Sequence, residues 1–259
     1  MQKNNAYFLI FLLVLISPLT AFSLEISSVH VGANPWAVGV NQFTNTVYVT
    51  NSGNDTVSVI DGSTNTISAT ITVGENPTGV AVNPNTNKIY VAKFSSPTIS
   101  VIDGSTNTIS ATITVGKFPN GVVVNPSTNT IYVANSGAGT VSVIDGSTNT
   151  VSTTITVDSH ATGMAVNPST NTVYVAGFST PVIFVINGST NTVSATIPVG
   201  VNPFGIAVNP STNMTYAAND NPGVLYIISD NQIPLLAHSP NQNPFDSIIQ
   251  FFKNLFHWK

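Results

Sequence analysis

The residues best suited to acid–base or metal chemistry follow a repeating spacing that favours structure over catalysis. Asp61, Asp103 and Asp145 stand 42 residues apart, and Asn187 and Ser229 take the next two places. An acid that recurs at one place and then becomes Asn fits a turn that needs a side-chain acceptor. The histidines show no zinc-ligand spacing: His30, His160, His238 and His257. Because the chain also lacks cysteine and any calcium-loop pattern, we predict no catalytic residue, no metal site and no cofactor.

A second set of residues breaks the repeat instead of following it, and these residues are candidates for binding. A structural position recurs in every repeat, whereas a site used once should depart from the pattern. In the predicted loops between blades and between second and third strands, the departures include Trp36, Lys93, Phe94, Lys117, Phe118, His160, Phe178 and Phe204. Aromatic rings give contact area at low entropic cost, so we predict a binding rim for a protein or glycan partner. Drifted loop residues, or packing where the first and last repeats meet, would explain the same set.

Three Asn-x-Ser/Thr sequences are candidate glycosylation sites. They begin at Asn54, Asn187 and Asn213. A chain rich in Asn and Thr meets this pattern by chance, so the signal depends on exposure and export. Asn54 is the best of the three, because it lies in a predicted exposed loop.

The charge of the chain excludes one class of partner. Charged residues make up 6% of the 259 residues, all six basic residues are lysine, and the formal net charge is −4. A nucleic-acid-binding surface needs a basic stripe to match the phosphates, so that class is excluded. Hydrophobic residues make up 42% of the chain, which is enough for one sizeable folded domain.

The N-terminal segment resembles a secretory signal. Lys3 precedes an unbroken apolar run over residues 6–16, and Ser17 and Pro18 end that run. The run is shorter than the roughly 20 residues of a membrane-spanning helix, and small residues at positions 21 and 23 suit signal peptidase. We therefore predict a signal peptide over 1–23 and an exported mature chain, with an uncleaved anchor as the alternative.

A repeat of 42 residues organises the rest of the chain. Its copies begin at Gly32, Gly74, Gly116, Asp158 and Gly200 without any insertion. Each copy contains four short β-branched runs separated by Asn, Pro, Gly and Asp, which predicts four strands. Four strands in this length match one blade of a β-propeller, whose period is about 40–45 residues. The predicted fold is therefore an all-β propeller of five four-stranded blades over residues 24–231.

The two ends of the array predict how the ring closes. Residues 25–31 align with the fourth strand of a repeat, whereas the last repeat shows only three strands before residue 230. The N-terminal strand can complete the last blade, which would cover both open sheet edges. An open arc of five units that closes with a second chain is the alternative.

The second strand of each repeat carries a family resemblance. Tyr48-Val-Thr-Asn51 is the signature of the YVTN β-propeller repeat, and the segments that begin at Tyr90, Tyr132, Tyr174 and Tyr216 resemble it. The resemblance covers about residues 24–230. It implies a surface-layer or cell-surface protein of a type common in methanogenic archaea, in which members usually have seven blades.

The C-terminal tail is predicted to be separate from the propeller. Residues 232–243 form a Pro/Asn-rich linker, and Asn243-Pro244 then resembles a helix start. Apolar residues from Phe245 to Trp258 cover one half of a helical wheel, so we predict an amphipathic helix over 244–259. Its apolar face would dock on the propeller, mediate self-association or contact a membrane peripherally.

These patterns together favour a non-catalytic, secreted or cell-surface scaffold that binds a protein or glycan partner. Residues expected to line the channel are small and apolar, as in Gly79–Val82, and the predicted first strands contain no Asp, Glu or His. Glycosidases need two carboxylates at the reacting bond, so this observation counts against an enzyme. A structural subunit of a surface layer is the first alternative, and a glycan-active or lyase-like propeller enzyme is the second.

Overall fold

A computed structural model describes residues 27–158, 160–221 and 223–229 of the chain. The predicted signal peptide (1–23), linker (232–243) and C-terminal helix (244–259) lie outside these residues. Within them, no helix is long and apolar enough to cross a membrane.

The described residues form 19 strands that follow the repeat. The first strands of the repeats are β1 (Pro35–Asn41), β5 (Pro77–Asn83), β9 (Pro119–Asn125), β13 (Ala161–Asn167) and β17 (Val201–Asn209). The second strands are β2 (Thr46–Asn51), β6 (Lys88–Lys93), β10 (Thr130–Asn135), β14 (Thr172–Gly177) and β18 (Met214–Asn221). The third strands are β3 (Thr56–Asp61), β7 (Thr98–Asp103), β11 (Thr140–Asp145), β15 (Val182–Asn187) and β19 (Val224–Ser229). The fourth strands are β4 (Thr66–Thr72), β8 (Thr108–Thr114), β12 (Thr150–Thr156) and β16 (Thr192–Pro198).

Each repeat folds into one antiparallel sheet with its strands in chain order. Four sheets have four strands, and the fifth has three, β17–β18–β19. We call these sheets blades 1 to 5. The fold is all-β and propeller-like, as predicted. Residues 27–31 form no strand in the described part of the chain, so completion of the fifth sheet by the N-terminal strand stays a prediction.

The hydrophobic core lies between neighbouring blades. Tyr48, Val57 and Val59 of blade 1 form one buried cluster with Ile89 and Val91 of blade 2. Equivalent clusters join the later blades in turn. Because each cluster takes residues from two sheets, no blade has a complete core of its own.

Asparagine side chains link neighbouring blades at the end of each first strand. The Asn41 amide donates to the Asn87 Oδ1 at 2.7 Å, and three equivalent pairs follow along the array. The acceptor residues of these pairs adopt left-handed φ values near 52°, which Asn tolerates better than most residues.

The recurring Asp residues close the turns between third and fourth strands. Asp61 Oδ1 accepts hydrogen bonds from the backbone N–H groups of Ser63 and Thr64, and the Ser63 bond is the main cause that lowers the Asp61 pKa. The Asp103 pKa is lowered chiefly by the hydrogen bond that Lys88 donates at 2.7 Å. In blade 4, Asn187 accepts the same two backbone bonds without a charge.

Candidate functional site

A cavity of about 270 Å³ lies where the five first strands converge. Its lining residues come from β1, β5, β9, β13 and β17, and none of them is ionisable: Trp36, Ala37, Gly79, Val80, Asn120, Gly121, Val122, Thr162, Gly163, Met164 and Phe204. We call this space the axial cavity. The lining is uncharged, as the first strands predicted, but the prediction of small, apolar residues was wrong for Trp36, Asn120, Thr162, Met164 and Phe204.

A β-bulge in each first strand places side chains at this cavity. In blade 1, Trp36 and Ala37 together lie opposite the single residue Thr50, because the pairing skips from Pro35 to Val38. The first strands of the other four blades show the same irregularity near their start. A bulge bends the strand and changes the direction of a side chain, and in all five blades a bulge residue is also a cavity residue.

Trp36 and Phe204 occupy equivalent bulge positions at the two ends of the array. The intervening blades have Thr78, Asn120 and Thr162 at this position. Trp36 is 63% exposed and Phe204 is 59% exposed, although both line the cavity. The sequence predicted both residues for a loop rim, whereas the structure places them in strands β1 and β17 at the axis.

Asn120 and Thr162 supply polar groups to the cavity lining. The half-buried Asn120 side chain has no hydrogen bond within the described residues, and the buried Thr162 Oγ1 has no partner there either. Neither residue was predicted as a site residue, because both lie in first strands that follow the repeat. Their signal in the sequence is the repeat position that they share with Trp36 and Phe204.

A second feature on the predicted rim is a stacked aromatic pair between blades 2 and 3. The rings of Phe94 and Phe118 have centroids 5.2 Å apart and an angle of 21° between their planes. Phe118 has a φ of 52°, at a position where blades 1, 2 and 5 have Asn. A left-handed conformation is costly for a bulky residue, so the ring stack holds Phe118 in a strained turn. Lys117, which precedes it, is exposed.

Lys93 directly precedes Phe94 in the sequence and is only 9% exposed. It replaces the Asn that blades 1 and 3 carry at the end of the second strand, where Asn51 and Asn135 bond to Ser and Thr hydroxyls. Its aliphatic chain passes Gly74, whose φ of 100° is found at no equivalent glycine in the described repeats. Burial lowers the pKa of the Lys93 ammonium group.

His160 and Phe178 lie at the junction of blades 3 and 4. His160 adopts a φ of 67°, and its Nδ1 lies 2.8 Å from the Ser179 Oγ. Phe178 is adjacent to that serine in the turn between β14 and β15 and is 40% exposed. The eight candidate residues therefore divide into an axial pair (Trp36 and Phe204), five residues at the outer loops of blades 2 to 4, and Lys93, which is buried at the end of β6.

The glycosylation candidates differ in their surroundings. Asn54 is exposed, and its side-chain oxygen accepts a hydrogen bond from the Ala33 N–H. Asn187 and Asn213 use their side-chain oxygens in a turn and in the asparagine link between blades. Modification at all three sites stays a prediction.

The two ends of the array expose surfaces that are buried at every internal junction. Leu225 and Ile227 of blade 5 are 56% and 61% exposed, whereas their counterparts in blades 1 to 4 are at most 1% exposed. Val38 and Val40, on the opposite side of blade 1, are also exposed. Contacts join each first strand to the next, from β1 through β17, and no contact of similar extent joins β17 to β1 within the described residues.

These ends carry the two unmatched halves of the asparagine link. Asn209 of blade 5 corresponds to the donors Asn41 and Asn83, but it is exposed and its amide nitrogen has no partner in the described residues. Asn45 of blade 1 corresponds to the acceptor Asn87 and receives no bond from another blade there. Blade 5 therefore has a donor amide for this link, and blade 1 has the matching acceptor.

Comparison with known proteins supports the fold. No protein-family model matches the sequence, and a search of curated proteins found no match. Among the solved structures that match is "Kuenenia stuttgartiensis Hydrazine Synthase", with a TM-score of 0.69 and 20% sequence identity. The match covers 80% of this chain and 66% of that chain. At this identity the likeness concerns the fold alone, and together with the repeated sheets it supports a propeller-like architecture.

Proposed function

We propose that this chain is a non-catalytic, exported cell-surface scaffold that holds a protein or glycan partner at the axial cavity and the adjoining rim. The observation that carries this proposal is the cavity itself, where strands of all five blades converge between Trp36 and Phe204. A concave site that combines apolar walls with polar groups is a common form of ligand site. Rigid strands present these groups, so little order has to be gained on binding.

A binding array tests this proposal directly. The mature chain is applied to immobilised glycans and extracellular proteins, and each partner found is retested with Trp36→Ala and Phe204→Ala. We expect both variants to lose binding while their β-sheet circular dichroism is unchanged. Phe43→Ala is the matched control, because Phe43 is equally exposed at the other end of β1. Binding that survives both cavity substitutions would refute the assignment of this site.

The family proposal is membership of the YVTN β-propeller repeats. It is supported by the in-phase tyrosines of the second strands, since Tyr48, Tyr90, Tyr132 and Tyr174 are all fully buried between blades. Such a tyrosine serves the packing of one blade on the next, which explains why the repeat preserves it. A cell-surface location follows from this resemblance and from the predicted signal peptide.

The fold proposal is a ring in which blade 5 packs against blade 1, with the N-terminal strand as the fourth strand of the last sheet. The exposed apolar ends and the unmatched halves Asn209 and Asn45 support it. A ring of five blades lies within the usual range of about 4–8.

Cross-linking tests the ring, because the chain has no cysteine of its own. Asn45→Cys with Asn209→Cys should react with a short bis-maleimide within one molecule. Asn83→Cys with Asn129→Cys is the positive control, since those residues form an internal link at 2.7 Å. Cross-linked dimers in place of cross-linked monomers would overturn the ring in favour of an arc completed by a second chain.

A structural subunit of a surface layer is the second candidate function. The exposed apolar ends of the array favour it, because surfaces of this kind mark interfaces between proteins. Sedimentation at increasing concentration distinguishes the two functions, since a lattice subunit assembles and a ligand-binding monomer does not.

A further inference from the structure

The axial cavity differs from an ordinary small void in its combination of two aromatic walls with a free amide. Trp36 and Phe204 contribute the rings, and Asn120 contributes an amide without a partner in the described residues. We propose that the cavity binds a single uncharged sugar ring. This inference rests on the proposed binding function and names the ligand class of the same site.

The aromatic residues define the shape of the ligand. Trp36 and Phe204 are both more than half exposed, so both side chains are accessible to a ligand in the cavity. The equivalent positions of the three intervening blades have short polar side chains, so rings are present only at the two ends. A sugar ring has apolar C–H faces that cover an aromatic face, while its hydroxyl groups remain at the edge.

The polar groups suit hydroxyl ligands. The Asn120 amide can both donate and accept hydrogen bonds, and a sugar hydroxyl does the same. Thr162 also lines the cavity, but its Oγ1 is buried, so Asn120 is the polar side chain that a ligand can reach. A pair of neighbouring hydroxyls can therefore satisfy the oxygen and the nitrogen of Asn120 at once.

The charge and size of the cavity narrow the ligand further. A charged ligand would lose hydration without gaining an ion pair, because the lining residues are all uncharged. Drug-sized ligands occupy pockets of about 300–1,000 Å³, whereas this cavity has a volume of about 270 Å³. One ring of a neutral saccharide, free or at the end of a longer glycan, fits both limits.

Tryptophan fluorescence of the full chain tests the inference. The sequence contains two tryptophans, and Trp258→Phe leaves Trp36 as the sole reporter. The variant is titrated with glucose, galactose, mannose and N-acetylglucosamine, and with glucuronate as the charged counterpart of glucose. We expect at least one neutral sugar to give a saturable change, with glucuronate binding at least tenfold more weakly than glucose.

A second variant separates the sugar site from a general surface effect. Asn120→Ala should weaken binding of the neutral sugar by about tenfold, as expected for the loss of a hydrogen bond worth roughly 1.4 kcal/mol, while Phe43→Ala leaves it unchanged. No response to any neutral sugar, equal binding of glucuronate, or an unaffected Asn120→Ala would each overturn the inference. If sugars fail but a protein partner still depends on Trp36 and Phe204, the proposed function stands and the ligand class is wrong.

Discussion

The close approach of neighbouring blades at their first strands predicts a substitution and its rescue. A Cβ on Gly121 would lie within 3.0 Å of the Thr162 carbonyl oxygen of the next blade, which real Cβ atoms essentially never do. Gly79 and Gly163 meet the next blade in the same way. Blade 1 departs from this rule, because it has Ala37 at the same place.

The first junction shows how an alanine is accommodated there. Thr50 lies opposite the Ala37 bulge, and its hydroxyl donates to the Thr78 carbonyl of the next blade at 2.8 Å. Blades 2 to 5 have alanine in place of this threonine. At the first junction, the Ala37 methyl group lies where the following blades have glycine, and the Thr50 hydroxyl holds the neighbouring Thr78 carbonyl by a hydrogen bond. The other junctions have no threonine that could do the same.

We therefore expect Gly121→Ala to destabilise the protein and Ala134→Thr to restore part of the loss. Overpacking costs about 1–3 kcal/mol, and reduced freedom of the unfolded chain returns about 0.4–1 kcal/mol. The net loss of about 1–2 kcal/mol should lower Tm by about 2–8 °C. In the double variant, the added hydrogen bond should recover about 1 kcal/mol.

Thermal and denaturant unfolding of the four proteins in this double-mutant cycle measures both effects. Ala134→Thr alone is the necessary control, because Ala134 is fully buried and extra volume there is expected to be neutral or harmful. An unchanged Tm for Gly121→Ala, or a coupling energy of zero between the two substitutions, would refute the packing argument.

Three further predictions concern the end of the array and its titratable groups. Gly205→Ala should lower Tm as Gly121→Ala does if blade 1 covers it, whereas a neutral or raised Tm would mean that this glycine meets no blade, as in the described residues. Asp61→Asn should keep the native circular dichroism, because Asn187 makes the same turn bonds. The substitution should also reduce the loss of Tm below about pH 4. A carboxyl group whose pKa is lowered on folding stabilises the folded state above its unfolded pKa, and this stabilisation is lost as pH falls. The Tyr90 pKa is raised to about 12, mainly by burial and then by the nearby Asp145. The stabilisation linked to this shift is complete below about pH 10 and is lost as pH rises through 12. Tyr90→Phe should therefore reduce the loss of stability at alkaline pH, as measured by unfolding across that range.

The repeat in the sequence was sufficient to predict the strands and turns, because each local signal agrees with its neighbours. The turns predicted at the recurring Asp residues connect β3 to β4 and β7 to β8, and Asp61 accepts the backbone bonds that such a turn needs. Fold class followed from the same regularity. The agreement reflects a chain in which turn chemistry and strand pattern specify the same unit in every copy.

The candidate site was harder to predict, because bulges and burial depend on contacts between blades. Trp36 was expected in a loop, but β1 begins at Pro35 and its bulge carries the ring to the axis. Lys93 was expected on the rim, yet it is the last residue of β6 and packs under Gly74. The Asn120 amide had no sequence signal of its own, since only the position of the other blades shows that no described residue bonds to it.

The division of the core between blades has a consequence for how the molecule opens. Since each sheet is stabilised by its two neighbours, unfolding free energy should follow the order of the blades, as it does in linear repeat proteins. Within the described residues, blades 2 to 4 are covered on both sides, whereas the exposed Leu225 and Ile227 mark a side of blade 5 that no other described blade covers. In an open array, amide hydrogens of blade 5 should thus exchange through local opening well before those of blade 3, whereas the proposed ring would remove this difference. In either arrangement, a ligand held between Trp36 and Phe204 would bridge the two terminal blades and couple the unfolding of blade 5 to that of blade 1.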